Sequence, residues 1–256
     1  MLRGLLNHEH EETDSDGFRL RGLGFSRLDG FSDVVFGFAL TLLVVSLEVP
    51  KSFEELHRLW GAFLPFGISF LLLMLIWYGH FAFFRRFGTH DPGTIWINGL
   101  LLFVVLFYVY PLKFLFLSAF GQAGSVSSQR EVTEVVVLFS VGQAALYLLF
   151  AALYWNAYRQ RAKLALTPVE CFLTRSFIVE EAGTGCIGLL VAALALLLPP
   201  GSAGTACLVF LLIGVWKSVM GARASRRARR LRQTELKTAE DDAISAADNT
   251  ASMINE

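Results

Sequence analysis

The sequence predicts an all-α integral membrane protein with six transmembrane helices per chain. Hydrophobic residues make up 54% of the 256 residues, and 23 residues are phenylalanine, a composition too apolar for an ordinary soluble domain. A transmembrane helix needs about 20 mostly apolar residues, and six stretches meet this requirement: 30–49, 60–83, 95–118, 132–156, 175–198 and 203–220. The formal net charge of +0 gives no electrostatic argument for a nucleic-acid partner, and we predict none.

The distribution of basic residues sets the orientation of these helices. Cytoplasmic loops are enriched in lysine and arginine, and here the bases cluster after the second, fourth and sixth stretches. We therefore predict a multi-pass protein of the cell's inner (plasma) membrane with both termini cytoplasmic. The clustered bases are Arg85 and Arg86, then Arg159, Arg161 and Lys163, then Arg223, Arg226, Arg227, Arg229, Arg230 and Arg232; the alternate connections carry Lys51, Arg58 and Arg130.

Local signals predict where the first two helices begin and end. Ser26 and Asp29 have capping-box spacing, so helix one should begin near Arg27. Pro50 lies where that helix should end. Residues 51–60 resemble a short interfacial segment that leads into helix two.

The later connections are predicted to be short or flexible. Residues 91–93 favour a tight inner turn, residues 121–129 a flexible outer loop, and residues 198–204 a short outer turn between helices five and six. Glu180 and Glu181 are interpreted as interfacial side chains that reach water, with attraction of cations to an entrance as the alternative.

Composition divides the chain into three regions. Residues 1–24 are acidic and expected to be mobile, residues 25–221 form the six-helix transmembrane domain, and residues 222–256 form a basic cytoplasmic helix followed by a disordered acidic tail. The arginine-rich part of that helix is interpreted as a positive-inside anchor, and binding to anionic lipid is the alternative.

Polar residues on the first three helices are predicted to share one depth. A carboxylate at the centre of a membrane helix costs roughly 3 kcal/mol, so it needs a partner or water. Given the orientation above, the inner ends of three helices bring such groups together. We predict a cross-helix network of Arg27, Ser32, Asp33, Trp77, His80 and Asn98, the alternative being that His80 lies among the lipid headgroups beside Arg85.

Helix one also carries a mostly apolar stripe on another face. At about 100° per residue, Phe38, Thr41, Leu42 and Val45 line up, and Phe31 extends the stripe inward. Ser32 and Asp33 point away from it. The periodicity leaves open whether this stripe faces a pore, lipid or partner helices.

Two other functional classes are compatible with single features. A proton-coupled secondary transporter would use Asp33 and His80 as a relay, but the discontinuous spans typical of such proteins are not evident. An intramembrane hydrolase would need Ser32, Asp33 and His80 as a triad, whereas adjacent residues of a helix diverge by about 100°. We therefore predict that the chain is not an enzyme, and that it holds no cofactor or metal.

The motif "RLDGFSD", which includes Arg27, Phe31, Ser32 and Asp33, resembles the start of helix one in the transmembrane protein 175 family. This family comprises the lysosomal potassium channels and their bacterial six-helix relatives. The resemblance extends through "WYGHFAFF", with Trp77 and His80, and through "WINGLLLFVVLFYVYP", with Asn98. It covers helices one to three well and the others only in number and placement.

The resemblance implies a potassium channel built as a homotetramer, as in bacterial members with one repeat. Helix one would line a central pore, and the signature residues would form the interhelical network that holds it. Apolar side chains would form a hydrophobic gate, matching Phe38, Leu42 and Val45, with a hydroxyl layer at Thr41. Most members have Ile or Leu where this chain has Phe38, so a ring of four phenylalanines would close the path more tightly or offer ring faces to the cation.

Overall fold

The described residues form six long helices and one short 3-10 helix. The computed structural model describes residues 12–14, 16–24, 26–45, 52–120, 129–199 and 202–254. Six helical spans are long and apolar enough to cross a membrane, the sixth being Ala203–Thr234, which includes the 3-10 helix; this confirms the predicted fold class. The helices are α1 (Arg27–Val45), α2 (Phe53–Phe87), α3 (Pro92–Ala119), α4 (Gln129–Arg159), α5 (Pro168–Leu197) and α6 (Leu211–Ile254), with the 3-10 helix Ala203–Phe210 leading into α6.

The helix boundaries agree with the sequence signals at α1 and differ at α2 and α3. The Ser26 hydroxyl accepts a hydrogen bond from the Asp29 amide at 3.1 Å, as the capping spacing predicts. The segment expected at the membrane interface belongs to α2, which begins at Phe53. Pro92 is the first residue of α3 and not part of a turn, because Asp91 caps the helix and proline is well suited to its first position. The expected end of α1 at Pro50 lies outside the described residues.

The loop between α2 and α3 is short because one residue reverses the chain. Gly88 has a φ of 55°, the left-handed conformation that glycine adopts without strain and that commonly ends a helix. An added Cβ there would lie 2.9 Å from the Arg21 carbonyl oxygen. The glycine therefore permits both the turn and a close approach of the N-terminal segment.

Both terminal regions differ from expectation. Residues 12–14 and 16–24, expected to be mobile, are held against the helices: Thr13 and Arg19 form an antiparallel bridge, and Phe18 is fully buried against the Phe87 ring. The backbone of α6 is helical as far as Ile254, although a disordered tail was expected beyond the basic helix. Residues 1–11 and the outer loop at 121–128 lie outside the described residues.

Small residues allow α4 and α5 to pack closely, and this pair contacts α3 on one side and α6 on the other. An added Cβ at Gly185 would lie 2.9 Å from the Leu148 side chain, and one at Gly188 would meet the Ser140 carbonyl at the same distance. Glycine is common at such interfaces because it lets helix backbones approach. On the other side of the bundle, α1 packs against α3 and α2 and buries one face, formed by Val35, Phe36, Ala39 and Leu43. The other half of α1 has no cover from the described residues of the chain.

Candidate functional site

A buried chain of hydrogen bonds joins the first three helices. The Asn98 amide of α3 donates to the Ser32 hydroxyl of α1 at 3.0 Å, and its carbonyl oxygen lies 2.8 Å from His80 Nε2 of α2. Because a carbonyl oxygen only accepts, His80 Nε2 carries the proton in this bond. Ser32 in turn donates to the Leu28 carbonyl at 2.8 Å. Ser32 and Asn98 are fully buried, so these hydrogen bonds are shielded from solvent and lipid.

Aromatic rings hold His80 in place. The imidazole lies between Phe36 of α1 and Phe84 of α2, with ring centroids 5.4 Å and 4.6 Å away. His80 is 2% exposed. The structure therefore places this histidine inside the bundle and not among the headgroups beside Arg85.

Trp77 and Asp33 form a separate contact on the exposed side of α1. The indole Nε1 donates to the Asp33 carboxylate at 2.9 Å, and this bond supplies the partner that an acid within the span requires. No hydrogen bond within the described residues joins Asp33 to His80. The structure thus brings together five of the six residues of the expected network in two sets, while Arg27 is exposed and takes part in neither.

The stripe on α1 lies on the uncovered half of that helix. The exposed fractions are 60% for Phe31, 62% for Phe38 and 76% for Val45, and Thr41 is also exposed, whereas Leu42 is partly covered. The Thr41 hydroxyl donates to the Phe38 carbonyl at 2.8 Å. Its proton is therefore used within the helix, and the oxygen lone pairs remain available on the exposed face. The stripe lies away from the face that carries Ser32.

The capped start of α3 supports Asn98 two turns further along. Asp91 accepts hydrogen bonds from the Thr94 hydroxyl at 2.6 Å and from the Asn156 amide of α4 at 3.1 Å. Partial burial raises the pKa of Asp91, but hydrogen bonds from Thr94, Gln160 and Asn156 outweigh it and hold this pKa well below the usual range. The ionised carboxylate therefore ties α3 to α4 at the inner end.

Sequence reasoning missed a buried carboxylate at the inner end of α5. Glu170 is 1% exposed and accepts hydrogen bonds from the guanidinium groups of Arg19 and Arg21, the shortest being 2.7 Å from Arg21. It also completes a capping box with Thr167. The Thr-x-x-Glu spacing that begins at Thr167 was the available signal, although it predicts only the cap.

The interpretation of Glu180 and Glu181 as water-reaching residues is wrong. Lys217 of α6 lies 3.2 Å from Glu180 Oε1 and 2.9 Å from Glu181 Oε1. Its ammonium also lies 5.2 Å from the centre of the Tyr147 ring. A single lysine on the neighbouring helix thus pairs with both acids inside the bundle. The hydropathy of one helix at a time does not show such a pairing.

Comparisons with known proteins place this arrangement in one family. The family model described as endosomal/lysosomal potassium channel TMEM175 matches residues 27–108, which contain α1 and every member of the buried chain. A potassium channel of Marivirga tractuosa is 36% identical over 232 residues, covering 84% of this chain and 94% of that protein.

Solved structures share the fold. A crystal structure of a variant of the potassium channel MtTMEM175, in complex with a nanobody fusion, matches with a TM-score of 0.70 and 32% identity over 85% of this chain and all of that one. A TMEM175 homologue from Chamaesiphon minutus matches with a TM-score of 0.55 and 23% identity, over 76% of this chain and 96% of that one, and supports the fold alone. The family consists of channels and not enzymes. This chain is a multi-pass membrane protein that belongs to the TMEM175 family.

Proposed function

We propose that this chain forms a potassium-preferring cation channel with passive flux. The observation that carries the proposal is the division of α1 into two faces. One face is bonded through Ser32 to Asn98 of α3, which is bonded in turn to His80 of α2. The other face presents Phe31, Phe38 and Val45 away from the described part of the chain. Relatives that include the 36%-identical protein of Marivirga tractuosa are named potassium channels. A helix that is bonded to its own chain on one face and exposed on the other is suited to lining a path between chains.

A homotetramer is the assembly we propose, with α1 of each chain at the axis. One chain cannot enclose a path with a single helix face, so several copies must supply it. The described residues contain one six-helix unit, the arrangement that resembles the bacterial, tetrameric form of the family. Gly37 beside the stripe has open space where a Cβ would lie, which leaves room for a neighbouring chain to approach α1.

The constriction is proposed to consist of apolar rings from α1. Phe38 and Val45 are seven residues apart, about 10 Å along the helix axis, with Thr41 between them. Apolar rings of this kind gate by dewetting. Selectivity would then come from the cost of removing water from the cation, partly offset by the Thr41 oxygen and by the faces of the Phe38 rings. We expect the preference for potassium to be modest.

The remaining assignments follow from the same proposal. We place the channel in the inner (plasma) membrane with both termini cytoplasmic, because the bases from Arg223 to Arg232 lie on α6 beyond its apolar part. Those bases are proposed to act as a positive-inside anchor, with contact to anionic lipid at that surface as the alternative. Potassium is the permeant species, and no cofactor is proposed. The transporter alternative lacks support, because Asp33 and His80 belong to separate hydrogen-bonded sets.

Ion flux through purified protein in liposomes tests the proposal. The wild type should release potassium from loaded vesicles. Phe38→Ala should raise the flux per folded protein by roughly threefold or more, because smaller side chains leave a wider constriction that water enters more easily. Leu42→Ala should act in the same direction to a lesser extent, since Leu42 is partly covered.

A matched control separates the pore from general loosening. Phe103 on α3 has an exposed fraction of 66%, close to that of Phe38, so Phe103→Ala removes the same ring from another surface. It should leave the flux unchanged. Absence of potassium flux from the wild type, or unchanged flux in both α1 variants, would contradict the proposed function.

A further inference from the structure

The segment before α1 binds the inner ends of three other helices. We call residues 12–14 and 16–24 the N-terminal strap. Asp14 accepts a hydrogen bond from Arg86 of α2 at 2.8 Å, and Asp16 accepts one from Ser225 of α6 at 2.7 Å. The Gly17 carbonyl accepts from Arg232 of α6 at 2.8 Å. The strap therefore joins α2 to α6 across the inner face of the bundle.

Glu170 of α5 is the main anchor of this strap. Its Oε1 accepts from the Arg19 amide at 3.0 Å and from the Arg21 guanidinium at 3.1 Å. Its Oε2 accepts from Arg21 at 2.7 Å and from the Thr167 amide at 2.9 Å. Two arginines and two backbone amides therefore converge on one buried carboxylate, which holds the strap and caps α5 at the same time.

The strap is coupled to α1 by a very short piece of chain. The Gly22 amide donates to the Arg85 carbonyl of α2 at 3.0 Å, and Ser26 already caps α1. Ser26 follows Gly22 by four residues, and at a maximum of about 3.6 Å per residue the chain between them reaches at most about 14 Å. An added Cβ at Gly22 would meet the Phe84 carbonyl oxygen, so the strap lies tightly against α2. The inner end of α1 therefore stays within about 14 Å of the point where the strap is bonded to α2.

We propose that Glu170 is a positioning residue for α1, acting through Arg19, Arg21 and the strap. This inference rests on the proposed function, because α1 is the helix proposed to gate the path. Glu170 fixes the strap and the strap limits the position of the inner end of α1, so the contact sets the balance between conducting and closed arrangements. The carboxylate belongs to α5 and is not part of the stripe on α1.

Single-channel recording of Glu170→Gln tests this role. The substitution keeps the shape of the side chain and removes the charge that binds both arginines. Open probability should change by about threefold or more, while the unitary conductance stays that of the wild type because the stripe is intact. Arg19→Gln, a milder variant that leaves Arg21 on Glu170, should shift open probability in the same direction by a smaller factor. Glu134→Gln, which removes an exposed ion pair with Arg130, should change neither quantity.

Hydrogen exchange measures the position of α1 independently of conduction. In Glu170→Gln and Arg19→Gln, exchange should speed up in residues 12–24 and in the first turns of α1, residues 27–33, with α3 unchanged. Unchanged open probability together with unchanged exchange at 27–33 would overturn the inference, and so would equal acceleration in all helices. If the wild type passes no current, the proposed function fails. The hydrogen-exchange result still decides whether Glu170 positions α1, because that role requires faster exchange in the variants confined to the strap and residues 27–33.

Discussion

Replacing Asn98 by leucine should destabilise the bundle more than replacing any other polar residue of the network that joins α1 to α2 and α3. Asn98 is fully buried and bonds to Ser32 on one side and to His80 on the other. Leucine has a similar size and forms neither bond. The substitution therefore removes the contact that joins α1, α2 and α3 while it leaves the packing volume nearly intact.

The expected magnitude follows from the two bonds and from what they leave behind. Interhelical hydrogen bonds in membranes contribute about 0.6–2 kcal/mol each. The His80 Nε2–H group would also lose its acceptor in a buried position, at a cost of about 1–3 kcal/mol. Ser32 retains its bond to the Leu28 carbonyl, so it adds little. We expect Asn98→Leu to lower the free energy of unfolding by about 2–4 kcal/mol.

Unfolding of the detergent-solubilised protein by increasing denaturing detergent measures this loss. The matched comparison is Trp77→Phe, which removes the bond to Asp33; because Asp33 is exposed, water replaces that bond, and the change should cost less than about 1 kcal/mol. In the double variant Asn98→Leu with His80→Phe, no polar group is left without a partner. The double variant should therefore be more stable than the sum of the two single losses predicts, by about 1 kcal/mol or more.

Two results would refute this reasoning. A loss for Asn98→Leu no larger than that for Trp77→Phe would show that the buried chain does not hold α1. Additive losses in the double variant would show that Asn98 and His80 contribute independently, despite the 2.8 Å contact between them.

Two further predictions concern acidic residues that take no part in the hydrogen bonds among Ser32, Asn98 and His80. The pKa of folded Asp91 lies below its usual value of about 3.9, so the contribution of Asp91 to stability is complete above that pH and is lost as the pH falls below about 4. The free energy of unfolding measured between pH 6 and 3 should show this loss in the wild type and much less of it in Asp91→Asn. An equal pH dependence in both proteins would refute the prediction. Lys217→Met should cost about 3–5 kcal/mol because Glu180 and Glu181 lose their cation, and neutralising both acids should recover most of it. Lys163→Met, at an exposed loop position, is the control for Lys217 and should cost little.

The sequence predicted the features that depend on one helix at a time. Hydropathy placed all six spans, and the capping spacing of Ser26 placed the start of α1. Periodicity alone separated the stripe that contains Phe38 from the face that contains Ser32. The expected network of polar residues was close, because side chains at one depth on neighbouring helices are within reach, but Arg27 stayed outside it.

Features that depend on distant parts of the chain were missed for a physical reason. Glu170 and Arg19 are 151 positions apart in sequence, and nothing local to either residue predicts that they meet. An acidic, glycine-punctuated segment is typical of disorder, and only the docking surface formed by several helices orders the strap. Lys217 likewise reaches Glu180 across 37 positions, so the pairing needs the packing of α6 on α5.

If the exposed stripe of α1 encloses the ion path, cysteines placed on that stripe should be accessible to a reagent that enters the path. In a background with the three native cysteines replaced by serine, single cysteines at Phe38, Thr41, Val44 and Val45 are treated with a charged thiol reagent during potassium flux. We expect block at 38, 41 and 45, and no block at Val44, which is exposed and lies off the stripe on the same helix. Block at Val44 without block at Phe38 and Val45 would contradict this expectation.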